Sequence, residues 1–261
     1  MRLPELVSAA VGSRQAERDR IGRSSSRVLL YPDLVLKVSD AGEGAEHEHT
    51  MLRWLSGRLP VPEVVCHTVE DGQDWLLMTR MEGRMACDEY YMNRPGLLIE
   101  KMAEAVRMLW AVPIGDCPFR CMLDEKLAMA RRAVESGEVK PEDAQPETFG
   151  PGGFRDPEAL LLWLEENRPP EREIFSHGDL CMPNVLFTDA GGIGFLDLGN
   201  SGVCDPWNDL SICMRSLHNN FEGVYDGKRY AGLRLDDLLC ALDVRPEPEE
   251  IRYYTLLDEL F

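Results

Sequence analysis

Apolar and polar positions change rhythm part-way along the chain. The first twenty residues, MRLPELVSAAVGSRQAERDR, predict an amphipathic helix with interspersed charge. SRVLLY and DLVLKVS then read as two short β-rich runs split by the turn YPD. EGAEHEHTMLRWLSG predicts a helix closed by Gly57. LPVPEVVCHTVEDGQDWLLMTRM predicts two more strands around the turn EDGQD. The first eighty residues are thus expected to form a small mixed sheet with one helix on it.

From Gly83 onward the spacing turns helical. RPGLLIEKMAEAVRMLWAV, MLDEKLAMARRAVES and DPEALLLWLEEN all carry apolar residues at helical intervals. Between the last two lies GEVKPEDAQPETFGPGGFRD, whose Pro, Gly and acid content predicts a loop or flap. REIFSHGD, NVLFTDAGG and IGFLDLGN are short β runs with polar ends, and the remainder reads as helical to the terminal YYTLLDELF. The expected fold class is α+β. A β-rich lobe, 1–82, precedes a larger, mainly helical lobe, 83–261, and the two join near Thr79 to Gly83.

Composition adds constraints. The 261 residues can bury a substantial core. The longest apolar run, ALLLWL, is far short of the roughly 20 residues of a membrane span. The N-terminus lacks the apolar block and cleavage site of a signal peptide, so a cytoplasmic protein without membrane attachment is expected. Eight cysteines form no C-x-x-C pair and predict small buried hydrophobes in a reducing compartment. Against 28 basic residues stand 46 acidic ones, a net charge of −18. Such a surface repels nucleic acid and attracts cations. Ordinary solubility would explain it equally well.

The chemistry concentrates in HGDLCMPN, 177–184. Phosphoryl transfer needs a carboxylate to orient the acceptor hydroxyl and oxygen ligands for Mg²⁺ on the nucleotide phosphates. In kinases the D-x-x-x-x-N spacing supplies the first carboxylate and one metal ligand, and a later D-x-G supplies the second. Here Asp179 and Asn184 keep that spacing, and Asp197 in FLDLG lies thirteen residues beyond Asn184. Alone, the pattern also describes an Asn-containing turn after a strand. The flanking His-Gly and D-L-G favour the catalytic reading, with Asp179 on the acceptor and Asn184 and Asp197 on metal.

A kinase also needs a cation over the phosphates, held by a helix Glu. Lys37 is the only lysine in the first hundred residues. Glu48 precedes Met51, Leu52 and Leu55 by three, four and seven positions and so lies on the sheet-facing stripe. A carboxylate there wants a buried partner. IGRSSSRV offers Gly22 and three serines to phosphate oxygens, although it is neither G-x-G-x-x-G nor Walker A, and a flexible turn reads equally well. LLMTRMEG would present backbone groups of Thr79 and Met81 to adenine.

SHGDLCMPN, GFLDLGNSG, DPWNDL, WLSGRLPVP and YYTLLDELF together resemble the aminoglycoside 3′-phosphotransferases (kanamycin kinases) over nearly the whole chain. The resemblance implies a two-lobed protein-kinase-like fold, ATP with GTP as an alternative donor, Mg²⁺, and a polycationic aminosugar antibiotic as acceptor. It implies Asp179 as catalytic carboxylate, Ser24 as phosphate contact, and Asp258, Glu259 and the carboxylate of Phe261 beside the drug's ammonium groups. Glu142, Asp143 and Glu147 in the flap are positional analogues of substrate-binding acids. After D-L-G the family commonly has arginine where this chain has Asn200, while Arg215 is retained to hold a carboxylate. Asp209 is expected to brace the catalytic loop. A monomer or weak dimer is expected. A kinase of choline, a macrolide or a sugar amine, and a catalytically inactive drug-binding protein, are the competing readings.

Overall fold

Five antiparallel strands build the N-terminal sheet of the computed structural model, which describes residues 2–18, 26–234 and 236–261. They are β1 (Glu17–Arg18), β2 (Arg27–Leu30), β3 (Leu34–Asp40), β4 (Val64–Glu70) and β5 (Gln73–Thr79), in the order β1-β2-β3-β5-β4. The sheet expected to be mixed is therefore antiparallel throughout, because each described connection is a hairpin or a return past a neighbour. Alternation along β3 sends Leu34, Leu36 and Val38 to one face, where α1 (Glu5–Val11) buries Val7 and Val11 against them. Lys37 consequently points to the other face, under α2 (Glu43–Leu55). There Met51, Leu52 and Leu55 pack with Leu76 and Met78.

Helix α1 is shorter than its sequence pattern. Gly12 turns the chain out of it at φ 59°, a conformation that needs no Cβ, and Glu17 then pairs with Leu30 at the sheet edge. Helix α2 stops after Leu55, with Gly57 left-handed at φ 75° just beyond.

Past Thr79 the chain runs on through Gly83, at φ 144°. A Cβ on that residue would meet the Phe187 carbonyl at 3.0 Å, so glycine lets the connection cross a strand. The strand belongs to a small sheet of β6 (Arg84–Met85), β8 (Val185–Phe187) and β9 (Ile193–Phe195), all antiparallel. A second ribbon pairs β7 (Ile174–Ser176) with β10 (Gly202–Cys204). The helical run expected after residue 200 hid β10, since three residues show no period and pair only across a long separation.

Helices form the rest: α3 (Glu89–Met92), α4 (Pro95–Trp110), α5 (Leu123–Ser136), α6 (Pro157–Glu166), α7 (Pro206–Phe221), α8 (Asp237–Leu242) and α9 (Pro248–Asp258). Helix α7 starts where Asp205 accepts the Trp207 N–H at 2.9 Å with Pro206 in the first turn. Such a cap stabilises a helix by about 1 kcal/mol. It packs on α9, whose Tyr253, Tyr254 and Leu257 are buried, as is Leu260 beyond it. These four side chains are therefore part of the core, whereas Phe261 beyond them is exposed.

All eight cysteines are free. Cys66, Cys204 and Cys213 are buried as expected, whereas Cys240 is exposed because α8 turns it away from Leu238 and Leu239. Among the described residues no helix is long and apolar enough to cross a membrane.

Candidate active site

Strand β7 delivers the chain into a tight loop that helix α7 holds from beneath. Asp209, fully buried, accepts the backbone N–H of His177 at 2.8 Å with one oxygen and that of Gly178 at 2.9 Å with the other. Ser216, two turns further along α7, accepts the N–H of Met182 at 3.0 Å. Gly178 is left-handed (φ 84°), and a Cβ there would fall 1.9 Å from the Asn200 carbonyl oxygen. Only glycine lets these two loops touch.

The chain then makes one 3₁₀ turn, Met182–Asn184, which brings Asn184 back over Asp179. The Asn184 amide nitrogen donates to the Asp179 carbonyl and to its carboxylate Oδ2, both at 3.0 Å. The D-x-x-x-x-N spacing therefore closes on itself. Asn184 is nearly buried, which is not the state of a surface turn. Burial raises the Asp179 carboxyl above its ordinary range; nearby His177 offsets part of the rise, and Asp258 and Asp197 add to it. A carboxylate so placed is a better proton acceptor than a free aspartate.

Asp197 joins this group through the backbone, since the Leu196 N–H donates to the Asn184 carbonyl at 2.9 Å. Its own φ is 57°, a left-handed conformation that costs a non-glycine residue energy and recurs at functional sites. Lys37 reaches across from β3 to Asp197 Oδ1 at 2.8 Å and to Glu48 Oε2 at 2.8 Å. Burial works against the charge on Lys37, yet the two carboxylates outweigh it and hold the ammonium above its ordinary range. Burial likewise raises Glu48, against the pull of Lys37. The side chain of Asp197 is 45% exposed and that of Glu48 only 6%, so Asp197 is the partner free to turn to a ligand.

This donor set fits Mg²⁺. With its amide nitrogen committed to Asp179, Asn184 has only its carbonyl oxygen left to offer, beside the Asp197 carboxylate. Among the described residues no three His, Cys, Asp or Glu side chains group to hold a metal by themselves. Two protein oxygens supplemented by phosphate oxygens is how Mg²⁺ is commonly bound.

Around this centre the other predicted residues divide. The Thr79 N–H donates to the Glu63 carbonyl at 2.9 Å and its hydroxyl accepts the Glu63 N–H at 2.9 Å, so the backbone N–H is already committed and does not serve a base. Met81 lays its methyl end on β9, where a Cβ at Gly194 would strike it at 2.5 Å. Ser24 lies outside the described residues. Arg215 of α7 pairs with Asp258, whose charge is felt at Asp179, and sits 3.6 Å from the nearly buried Glu259. Phe261 is 58% exposed, its ring 5.5 Å from the Lys126 ammonium. Asn200 presses its backbone on Gly178 and leaves its side chain exposed. Glu142, Asp143 and Glu147 are exposed in the flap and make no described contact with the centre.

The pattern reading did not find Gln145, whose N–H donates to Glu259 Oε2 at 3.0 Å and moors the flap beside the terminal acids. Nor did it find Ser216 or Cys181, whose thiol hydrogen-bonds Asp179. A backbone N–H leaves no signal in composition, and a lone Ser or Cys leaves little.

Known proteins resemble this chain in sequence and in fold. The profile of the phosphotransferase enzyme family, APH, matches residues 15–243. An aminoglycoside 3′-phosphotransferase of Enterococcus faecalis is 33% identical over 100% of this chain and 99% of its own. A solved aminoglycoside-3′-phosphotransferase of type VIII superposes with a TM-score of 0.79 at 27% identity, covering 98% of both chains. The aminoglycoside phosphotransferase APH(3'')-Id of Streptomyces rimosus, solved with ADP and streptomycin, gives 0.77 at 25% identity over 98% of this chain and 96% of that one. The two-lobed fold and the full-length relatives agree: the chain belongs to the APH phosphotransferase enzyme family, in which the Enterococcus faecalis and type VIII relatives are aminoglycoside 3′-phosphotransferases.

Proposed function

We propose that the protein transfers the γ-phosphoryl group of ATP, as its Mg²⁺ complex, to the 3′ hydroxyl of an aminoglycoside antibiotic and so confers resistance to it. The observation that carries this reading is the closed pair Asp179–Asn184 set against the chain Glu48–Lys37–Asp197. Asp179 orients the acceptor hydroxyl and takes its proton as the new O–P bond forms and the bond to the β-phosphate breaks, releasing ADP. Lys37, kept cationic by Glu48, offsets charge on the nucleotide phosphates. Mg²⁺ held by Asn184 and Asp197 would neutralise the charge that develops there.

Recognition rests on charge. Asp258 and Glu259, collected by Arg215, form an acidic wall close to Asp179, and the net charge of −18 draws a polycation inward. This favours an aminoglycoside over a neutral alcohol.

An ADP-release assay with kanamycin, neomycin and amikacin tests the reading, paired with a 3′-deoxy counterpart of one of them. Turnover with the 3′-hydroxyl compounds and none with the deoxy compound is expected. Equal turnover of both moves the attack to another hydroxyl, and no Mg²⁺-dependent ADP release from any of them refutes the assignment.

A further inference from the structure

Helix α2 touches the second lobe at a point the chemistry above does not use. His47, one residue before Glu48, is turned about 100° from it on the helix and leaves the sheet-facing stripe. Its Nε2 lies 2.6 Å from the Ser201 carbonyl oxygen. The oxygen can only accept, so Nε2 carries the proton, whether the ring is neutral or charged. The same ring stacks on Phe119, with centroids 3.8 Å apart and planes 12° from parallel.

Both halves of this seat are rigid. Ser201 is fully buried, its N–H and hydroxyl both turned back to the Leu198 carbonyl, in the tight turn that follows Asp197. The Phe119 carbonyl accepts the Val203 N–H at 3.0 Å, and the Cys121 N–H donates to the Val203 carbonyl at 2.8 Å. The segments that carry the ring and the carbonyl are therefore tied to each other by paired backbone. Next to them, a Cβ on Gly199 would lie 3.8 Å from the Glu48 Cβ, which shows how closely α2 rides on this loop.

The consequence concerns the state with nucleotide bound. Lys37 now bridges the lobes by pairing with Glu48 on one side and Asp197 on the other. A metal would claim Asp197 and phosphates would claim Lys37, which weakens that bridge. Neither claims an imidazole on a backbone carbonyl. We propose that His47 is a positioning residue for the nucleotide: seated on Ser201 and Phe119, it keeps α2, and with it Glu48 and Lys37, in register with the Asp197 loop. The inference rests on the nucleotide-dependent reading of the site.

Calorimetry of ADP binding to the full chain in the presence of Mg²⁺ tests it without turnover. Three variants separate the contacts: His47→Ala removes both, His47→Phe keeps the flat ring, and His47→Gln places an N–H near the Nε2 position. His47→Ala should weaken ADP about tenfold, the size of one hydrogen bond together with ring packing. It should raise KM for ATP by a like factor, with kcat changed less than about threefold. His47→Gln should recover most of the loss and His47→Phe less. Aminoglycoside affinity should stay near wild type, which a merely structural role would not predict. The unfolding midpoint should fall by no more than one hydrogen bond and one ring contact account for. Variants that bind ADP as the wild type does overturn the role of His47 alone, and so does equal loss of drug and nucleotide affinity. A wild type that binds no ADP overturns the phosphotransferase reading itself.

Discussion

The catalytic loop and the acidic wall both hang on helix α7, and they are held in opposite ways. Asp209 and Ser216 reach up from α7 into the loop and bind backbone N–H groups in the dry interior. Arg215, beside Ser216, gathers the half-buried Asp258 and the nearly buried Glu259, while Phe261 and the flap acids are exposed. Charge-assisted bonds to buried backbone are short, directional and expensive to break. Exposed charges are weakly coupled, screened by salt and tolerant of position. One helix thus holds a buried loop and a partly buried pair of acids, and the exposed flap charges supply the adaptable surface. This suits an enzyme that must hold a single in-line geometry while accepting polycations of varied shape.

The sharpest way to probe the rigid side is Asp179→Ala. Removing a general base costs on the order of 10² to 10⁴ in rate, so kcat should fall by about 10³ while ADP affinity is kept. Single-turnover rates and calorimetry on the same sample give both numbers. Unchanged turnover would leave the loop without its chemistry.

Asp209→Ala comes next, because it strips an acceptor from two buried N–H groups at once. Each buried donor left unsatisfied costs about 1–3 kcal/mol. The midpoint of chemical denaturation should drop accordingly, and kcat should fall about 10²-fold as the loop loosens. Asp209→Asn keeps one acceptor and should lie between. A variant with normal stability and activity would mean that the loop is not braced from α7.

Acidity distinguishes the two regions further. Burial, reinforced by Asp258 and Asp197, raises Asp179, so the base is protonated and lost as pH falls through a value above the ordinary aspartate range. The acid limb of kcat/KM for the aminoglycoside should therefore lie above that range. Asp258→Asn removes one of the raising charges and should move the limb to lower pH while weakening drug binding. A limb that does not move would separate the wall electrostatically from the base.

How much of this was legible in the chain follows the same division. Asp179, Asn184 and Asp197 could be picked out because a short loop and a hairpin bring them together, so the spacing itself encodes the site. Lys37 was legible as the only lysine in the first hundred residues and Glu48 from a helical stripe, and the ion pair at 2.8 Å joins them. Contacts made by backbone atoms were not. Gln145 on Glu259, Ser216 under Met182 and His47 on Ser201 each join distant segments through an N–H or a carbonyl that every residue carries. The early end of α1 at Gly12 and the three-residue β10 escaped for a related reason. Tertiary pairing decided both, and no local period announces it.

The smallest effect belongs to the flap. Glu142, Asp143 and Glu147 are exposed, and among the described residues the Gln145 N–H on Glu259 ties their segment to the wall. If they act through field alone, replacing all three by Gln or Asn should lower kcat/KM for a polycationic drug by about two- to fivefold at low ionic strength. The deficit should fade toward 0.15 M salt, where the screening length is about 8 Å, and kcat should not change. Glu259→Gln, by contrast, disturbs a buried contact and should raise KM at every salt concentration. A loss in the triple variant that survives high salt would mean that the flap closes on the drug and holds it directly. The adaptable surface would then be ordered by its ligand, and the contrast with the catalytic loop would hold only before the drug arrives.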